Sequence, residues 1–186
     1  MTLSATFRHL GISHSTLEAL ARKGYDHPTP CQAETIPAAL KGVDLVVQSR
    51  TGTGKTAAFG IPLVERVDVN VNAVQGVVLA PTRELAVQVS EELGEIGRDR
   101  GVRVAAIYGG DSMERQMDLL SQGVHLVAGT PGRVLDHLRR GTLNLKGLRM
   151  FVLDEADRML DMGFAEEMQK IVAFVPEERQ TLLFSA

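Results

Sequence analysis

The sequence predicts a doubly wound α/β domain, a mostly parallel sheet with helices on both faces. Three observations predict it. Short apolar runs alternate with longer segments of helical spacing from Leu45 onward. Those runs are near-continuous Val, Leu and Ile, the mark of strands covered on both faces. The 186 residues suffice for one domain with a sizeable core.

The elements follow in order. The residues ahead of the first strand stand apart as a helical preface. Ser15-Thr16-Leu17-Glu18 predicts a capping box that opens a helix stopping near Gly24. Thr29-Pro30 reads as the N-cap and first residue of a second helix. Strands are expected at 45–47, 77–79, 102–107, 124–128, 150–153 and 181–184. Helices are expected between them at 57–66, 84–98, 113–120, 134–139 and 165–174. Residues 68–75 read as a surface loop. The division expected is a segment 1–33 packed on a core of 34–186. The chain stops at Ser185-Ala186, directly after an apolar strand whose edge would lack a covering helix. It is therefore expected to be one piece of a longer protein.

Composition excludes several classes. Twenty basic and 23 acidic residues leave a formal charge of −3, so no global positive field advertises a polyanion. Any such ligand must be held by local groups. The single Cys31 rules out an internal disulfide and suits a reducing, cytoplasmic setting. No apolar run approaches the ~18 residues a membrane span needs.

Ser49-Arg50-Thr51-Gly52-Thr53-Gly54-Lys55-Thr56 reads as a phosphate-binding loop between the first strand and its helix. Gly52 and Gly54 let the backbone wrap closely and aim N–H groups inward. Lys55 supplies a charge for the β/γ-phosphates, and the Thr56 hydroxyl suits Mg²⁺. Ser49 stands where the general pattern has its first glycine. Asp154-Glu155 follows Phe151-Val152-Leu153, at the sheet edge where α/β domains bind ligands. Asp154 can hold Mg²⁺ directly or through water, and Glu155 can orient or deprotonate an attacking water. Helix N-terminal acids complementing the dipole are the plain alternative. Beside a phosphate loop, the pair favours hydrolysis of a nucleotide.

Three further strand ends carry related chemistry: Pro81-Thr82-Arg83, Gly109-Gly110 and Thr130-Pro131-Gly132-Arg133. Each taken singly is ordinary turn and cap chemistry. In a parallel sheet they share one edge, where free N–H groups can meet a row of phosphates. With 4% aromatics and no Trp, stacking on bases is not the expected mode.

These residues together resemble the first RecA-like domain of DEAD-box RNA helicases, in superfamily 2. Asp154-Glu155-Ala156-Asp157 supplies that family's name, and Ser185-Ala186 looks like the start of its Ser-Ala-Thr segment. Gly24-Tyr25 with Pro28-Thr29-Pro30-Cys31-Gln32 looks like its Q motif, with Phe7 at the upstream aromatic position. The resemblance covers essentially the whole chain. It implies ATP and Mg²⁺ as cofactors, with Gln32 on the adenine edge and Tyr25 and Phe7 forming the base pocket. It implies single-stranded or duplex RNA held by its backbone at the three strand ends. It also implies a second RecA-like domain that supplies arginines to the γ-phosphoryl. Asp157 and Ser185 would couple nucleotide state to the RNA surface. The rival readings are a nucleotide-dependent RNA-binding module that never hydrolyses, against which Glu155 stands, and a DNA-directed motor of the same superfamily.

Overall fold

The computed structural model describes residues 6–186. A 3-10 turn, Phe7–Leu10, leads into helices α1 (His14–Arg22) and α2 (Pro30–Leu40). Six strands follow: β1 (Leu45–Gln48), β2 (Gly76–Leu79), β3 (Val104–Ile107), β4 (Leu126–Gly129), β5 (Met150–Leu153) and β6 (Gln180–Ser185). Between them run α3 (Lys55–Arg66), α4 (Arg83–Gly97), α5 (Met113–Ser121), α6 (Pro131–Arg140), α7 (Ala156–Asp161) and α8 (Ala165–Val172). The strands form one sheet of order β1-β6-β5-β2-β4-β3, every pair parallel.

The continuous apolar runs have a physical cause that the structure makes plain. Along β2, Val78 enters one core while Val77 and Leu79 enter the other. On β5, Met150 and Val152 face the first and Phe151 the second. Side chains still alternate, but both faces are dry. One face is covered by α1 to α4, the other by α6 to α8. Phe59 and Phe184 meet edge to face in the first core, ring centroids 5.2 Å apart.

Several expectations are corrected. The cap of α1 is Ser13 rather than Ser15, and its side chain is drawn off to Glu65 at 2.7 Å instead of capping. Thr16, within the expected capping box, is fully buried and also donates to Glu65. The helix α7 was not anticipated because its six residues directly follow the acidic turn. The last strand is no bare edge: β6 sits between β1 and β5. The edge strand on that side is β1, where Val46 is 78% exposed, so its apolar run is not covered on both faces. The Thr29 cap is present with its full reciprocal box, Gln32 Oε1 accepting from Thr29 N at 3.0 Å. A division at residue 33 falls inside α2, and Phe7, Leu10 and Leu20 share one core with Ile36 and Phe59. Among the described residues no helix is long and apolar enough to cross a membrane.

Two glycines give opposite expectations. A Cβ at Gly129 would lie 2.6 Å from the Ile107 carbonyl oxygen, a backbone atom that cannot give way. Gly129→Ala should therefore destabilise by about 1–3 kcal/mol. Gly94, inside α4, has nothing within 4 Å of such a Cβ. Gly94→Ala should stabilise by about 0.5–1 kcal/mol through helix propensity alone. Urea midpoints at unchanged slope would read both.

Candidate active site

Strand β1 delivers the chain to Ser49, and α3 receives it at Lys55. The turn between them needs two left-handed residues, Gly52 at φ 80° and Gly54 at φ 79°. Thr53 Oγ1 donates to Arg50 O at 2.7 Å, which leaves it free to accept from Ser49 Oγ at 2.7 Å. That bond gives Ser49 a structural use where the general pattern has glycine. Ser49 N donates to Ser185 O at 3.1 Å, tying the loop to β6. Lys55 is buried, its Nζ donating to Ser49 O at 2.8 Å and Ser185 O at 3.4 Å. Both acceptors are neutral carbonyls, so among the described residues the ammonium has no bonded counter-charge where it faces the cleft.

The acidic pair closes the same cleft. Asp154 directly follows β5, its N–H donating to Leu79 O at 2.9 Å, and it is 3% exposed. Burial, then the neighbouring Glu155 charge, push its carboxyl up to about 6, while Lys55 and a backbone N–H pull the other way. Glu155 is the one described non-glycine residue at positive φ, 51°. A left-handed residue of this kind costs on the order of 1 kcal/mol. The sharp turn lets two consecutive carboxylates line one cavity of about 450 Å³ with Thr51, Gly52, Lys55 and Thr56. Glu155 Oε2 also accepts from Arg158 at 3.1 Å. Asp157 Oδ2 accepts from the N–H of Ala186 at 3.3 Å, so the link from the acidic turn to β6 is made by Ala186 rather than Ser185.

The preface supplies the cavity's far wall. Tyr25 lines it, its hydroxyl donating to Glu92 at 2.9 Å with Lys23 5.7 Å from its ring centroid. Lys23 bridges Glu92 at 2.9 Å and Glu95. Phe7 is buried and lines a smaller, neighbouring cavity with Tyr25, not the main cleft. Gln32 is 4% exposed, and its amide is occupied within the chain. Its oxygen serves the Thr29 cap, and Nε2 donates to Gly54 O at 3.2 Å. Thr29 Oγ1 donates to Thr53 O at 2.7 Å, so two bonds clamp the phosphate loop from the preface. Gln88 and Glu92 of α4 line the cleft unanticipated. Their helical spacing was legible, but not that this face of α4 turns toward α3.

The edge that carries the three further strand ends is level. Leu79 stands beside Gly129 and Leu153, and Gly129 beside Ile107, so these strands end together. Pro81 leads into Thr82, whose side chain caps α4 by accepting from Leu85 N at 3.2 Å. Arg83 is exposed, its guanidinium 5.1 Å from the Tyr108 centroid. Gly109 and Gly110 are exposed, Gly110 at φ 88°. Thr130 precedes Pro131 at the start of α6 without a side-chain cap bond, and nothing crowds Gly132. Arg133 turns inward, donating to Asp111 O at 3.0 Å and Gln116 Oε1 at 3.1 Å.

Known proteins share this arrangement. A family model described as DEAD/DEAH box helicase matches residues 29–186. The DEAD-box ATP-dependent RNA helicase CshA of Geobacillus kaustophilus is 56% identical over 181 residues, 97% of this chain and 39% of its own length. The Bacillus cereus protein of the same name is 55% identical, over 97% of this chain and 34% of its own. The chain thus spans little more than a third of these relatives. The crystal structure of a DEAD box protein from the hyperthermophile Methanococcus jannaschii superimposes with a TM-score of 0.93 at 44% identity. That match covers 97% of this chain and 50% of the other. With sequence and fold agreeing over nearly its whole length, the chain belongs to the DEAD/DEAH box helicase family.

Proposed function

We propose that the chain is the ATP- and RNA-binding domain of an ATP-dependent RNA helicase. The observation that carries this reading is the common cleft of Lys55, Thr56, Asp154 and Glu155. The loop's N–H groups wrap the triphosphate, and Lys55 exchanges its two carbonyl partners for β/γ-phosphate oxygens. Mg²⁺, when bound, neutralises charge on those oxygens. Thr56 and Asp154 would hold it. The fit is chemical: Asp154 is a buried carboxylate with no bonded cation among the described residues, which a metal would return to its ionised form. Among the described residues no group of three or more His, Cys, Asp or Glu gathers, so phosphate and water would complete the shell. Glu155 orients and deprotonates the attacking water. Tyr25, fixed by Glu92 and Lys23, offers the adenine a ring, and Gln32 holds the loop beside it.

RNA lies along the level edge, on backbone N–H groups at Thr82, Gly109, Gly110 and Gly132 and on the Thr130 hydroxyl, with Arg83 as an exposed cation. Such contacts position a strand without reading its sequence. A second RecA-like domain, within the further length the relatives have, supplies the arginines that complete the γ-phosphoryl site. By itself the chain should turn ATP over about 10³–10⁵-fold more slowly than the two-domain enzyme.

Calorimetry with AMP-PNP and Mg²⁺ tests the cleft. Lys55→Ala should weaken binding about 10- to 100-fold. Glu155→Gln should bind as the unaltered chain does while losing residual turnover. Retained turnover would remove Glu155 from its role.

Asp154 gives a pH prediction with a definite sign. Folded, it keeps its proton up to about pH 6; unfolded, it releases it near 3.8. The folded state therefore binds more protons across that window, and stability falls as pH rises through it. Asp154→Asn, which cannot ionise, should stabilise the nucleotide-free chain above pH 6 by about 1–3 kcal/mol. Below pH 3.8 it should change little, as urea titrations on either side of the window would show. In the unaltered chain, Mg²⁺-dependent nucleotide affinity should fall as pH drops through about 6.

A further inference from the structure

Two arginines open helices on the RNA edge, and the fold treats them oppositely. Arg83 is exposed over the Tyr108 ring. Arg133 is half-buried, and its Nη1 is committed to Asp111 O and to Gln116 Oε1. Gln116 is 1% exposed, and its Nε2 donates to Tyr108 O at 3.0 Å. A carbonyl oxygen only accepts, so the amide nitrogen must face Tyr108 and the amide oxygen must face Arg133. That oxygen also meets Nε2 of His137, fully buried, at 3.1 Å. The oxygen has only lone pairs to offer, so Nε2 carries the proton. Nδ1 lies 2.8 Å from the Thr142 hydroxyl, whose one proton it shares with the His137 carbonyl oxygen at 3.2 Å. Burial, then the Arg133 guanidinium, hold His137 below the usual imidazole range, in the neutral form this pattern needs.

Elsewhere the loop Tyr108–Asp111 is touched from the surface, by Arg83 over the Tyr108 ring and by Arg115, 80% exposed, at 3.9 Å from Asp111. The loop's middle is Gly109-Gly110, which brings no side chain to anchor it and loses the most backbone freedom on ordering. Swinging Arg133 out to a phosphate would release Asp111 and forfeit two charge-assisted bonds.

We propose that Arg133, Gln116 and His137 are positioning residues, a buried strut that locks the loop Tyr108–Asp111 against the start of α6. Two adjacent anion sites, the Gly109-Gly110 backbone and the Thr130 hydroxyl with the Gly132 N–H, thereby keep the spacing of one RNA strand. Arg133 acts through the loop and is not itself a phosphate ligand. This rests on reading the edge as an RNA surface.

The test is binding of a fluorescein-labelled oligouridylate by this chain across a salt series, read by anisotropy. A phosphate-bound cation contributes about 0.7 to the slope of log affinity against log salt on a single strand. Arg83→Ala should lose about that much slope. Arg133→Gln and His137→Leu should weaken binding about tenfold with the slope unchanged. His137→Gln, which keeps a donor toward Gln116, should recover most of the affinity. Circular dichroism checks folding, and the half-buried Arg133 keeps the test decisive should His137→Leu unfold. A slope lost in Arg133→Gln as in Arg83→Ala, or full affinity in Arg133→Gln, overturns the inference. No binding by the unaltered chain, or an Arg83→Ala chain indistinguishable from it, overturns the RNA-surface reading and the strut with it.

Discussion

Six strands running the same way are the constraint on which everything else depends. In a parallel register every strand leaves the sheet at the same edge, and here four of them end level. Helices begin just beyond those ends, so unpaired N–H groups gather along one rim. An antiparallel sheet would send alternate strand ends to opposite edges and leave no such row. Burial of both faces has a second effect. Polar chemistry is expelled from strand interiors and concentrated where the strands stop.

The cleft is built of charges that the chain compensates only in part. Lys55 is bonded to two carbonyls, and Asp154 is buried against its own neighbour's charge. Each would cost less in water. Glu155 adds a left-handed backbone to the same few residues. On the proposed reading a magnesium-bound triphosphate would bring the complementary charges, placing the unfavourable terms where ligand binding relieves them.

Strand β6 joins the two halves of the site. Its Ser185 carbonyl receives Ser49 N and Lys55 Nζ, while Ala186 N reaches Asp157. Any movement of Lys55 toward a phosphate therefore changes the bonding at the end of β6, and through it the segment after the acidic turn. The preface does the same from the other side, through Thr29 and Gln32 on the loop carbonyls. The phosphate loop is held at both flanks by polar bonds that a ligand can compete with.

The sequence by itself determined the α/β class, the six strands, the phosphate loop and the acidic pair. These depend on local patterns: apolar runs set by dry faces, glycines where φ must be positive, an N-cap at Thr29. It did not reveal that Ser13 rather than Ser15 begins α1, because Glu65, distant in sequence, decides which hydroxyls are drawn inward. Nor did it separate Arg83 from Arg133, which stand in similar motifs. Only the tertiary structure decided that one guanidinium lies open over Tyr108 while the other turns to Gln116. The reason is physical: a local pattern sets backbone geometry, whereas the partner of a long polar side chain depends on which helix packs beside it.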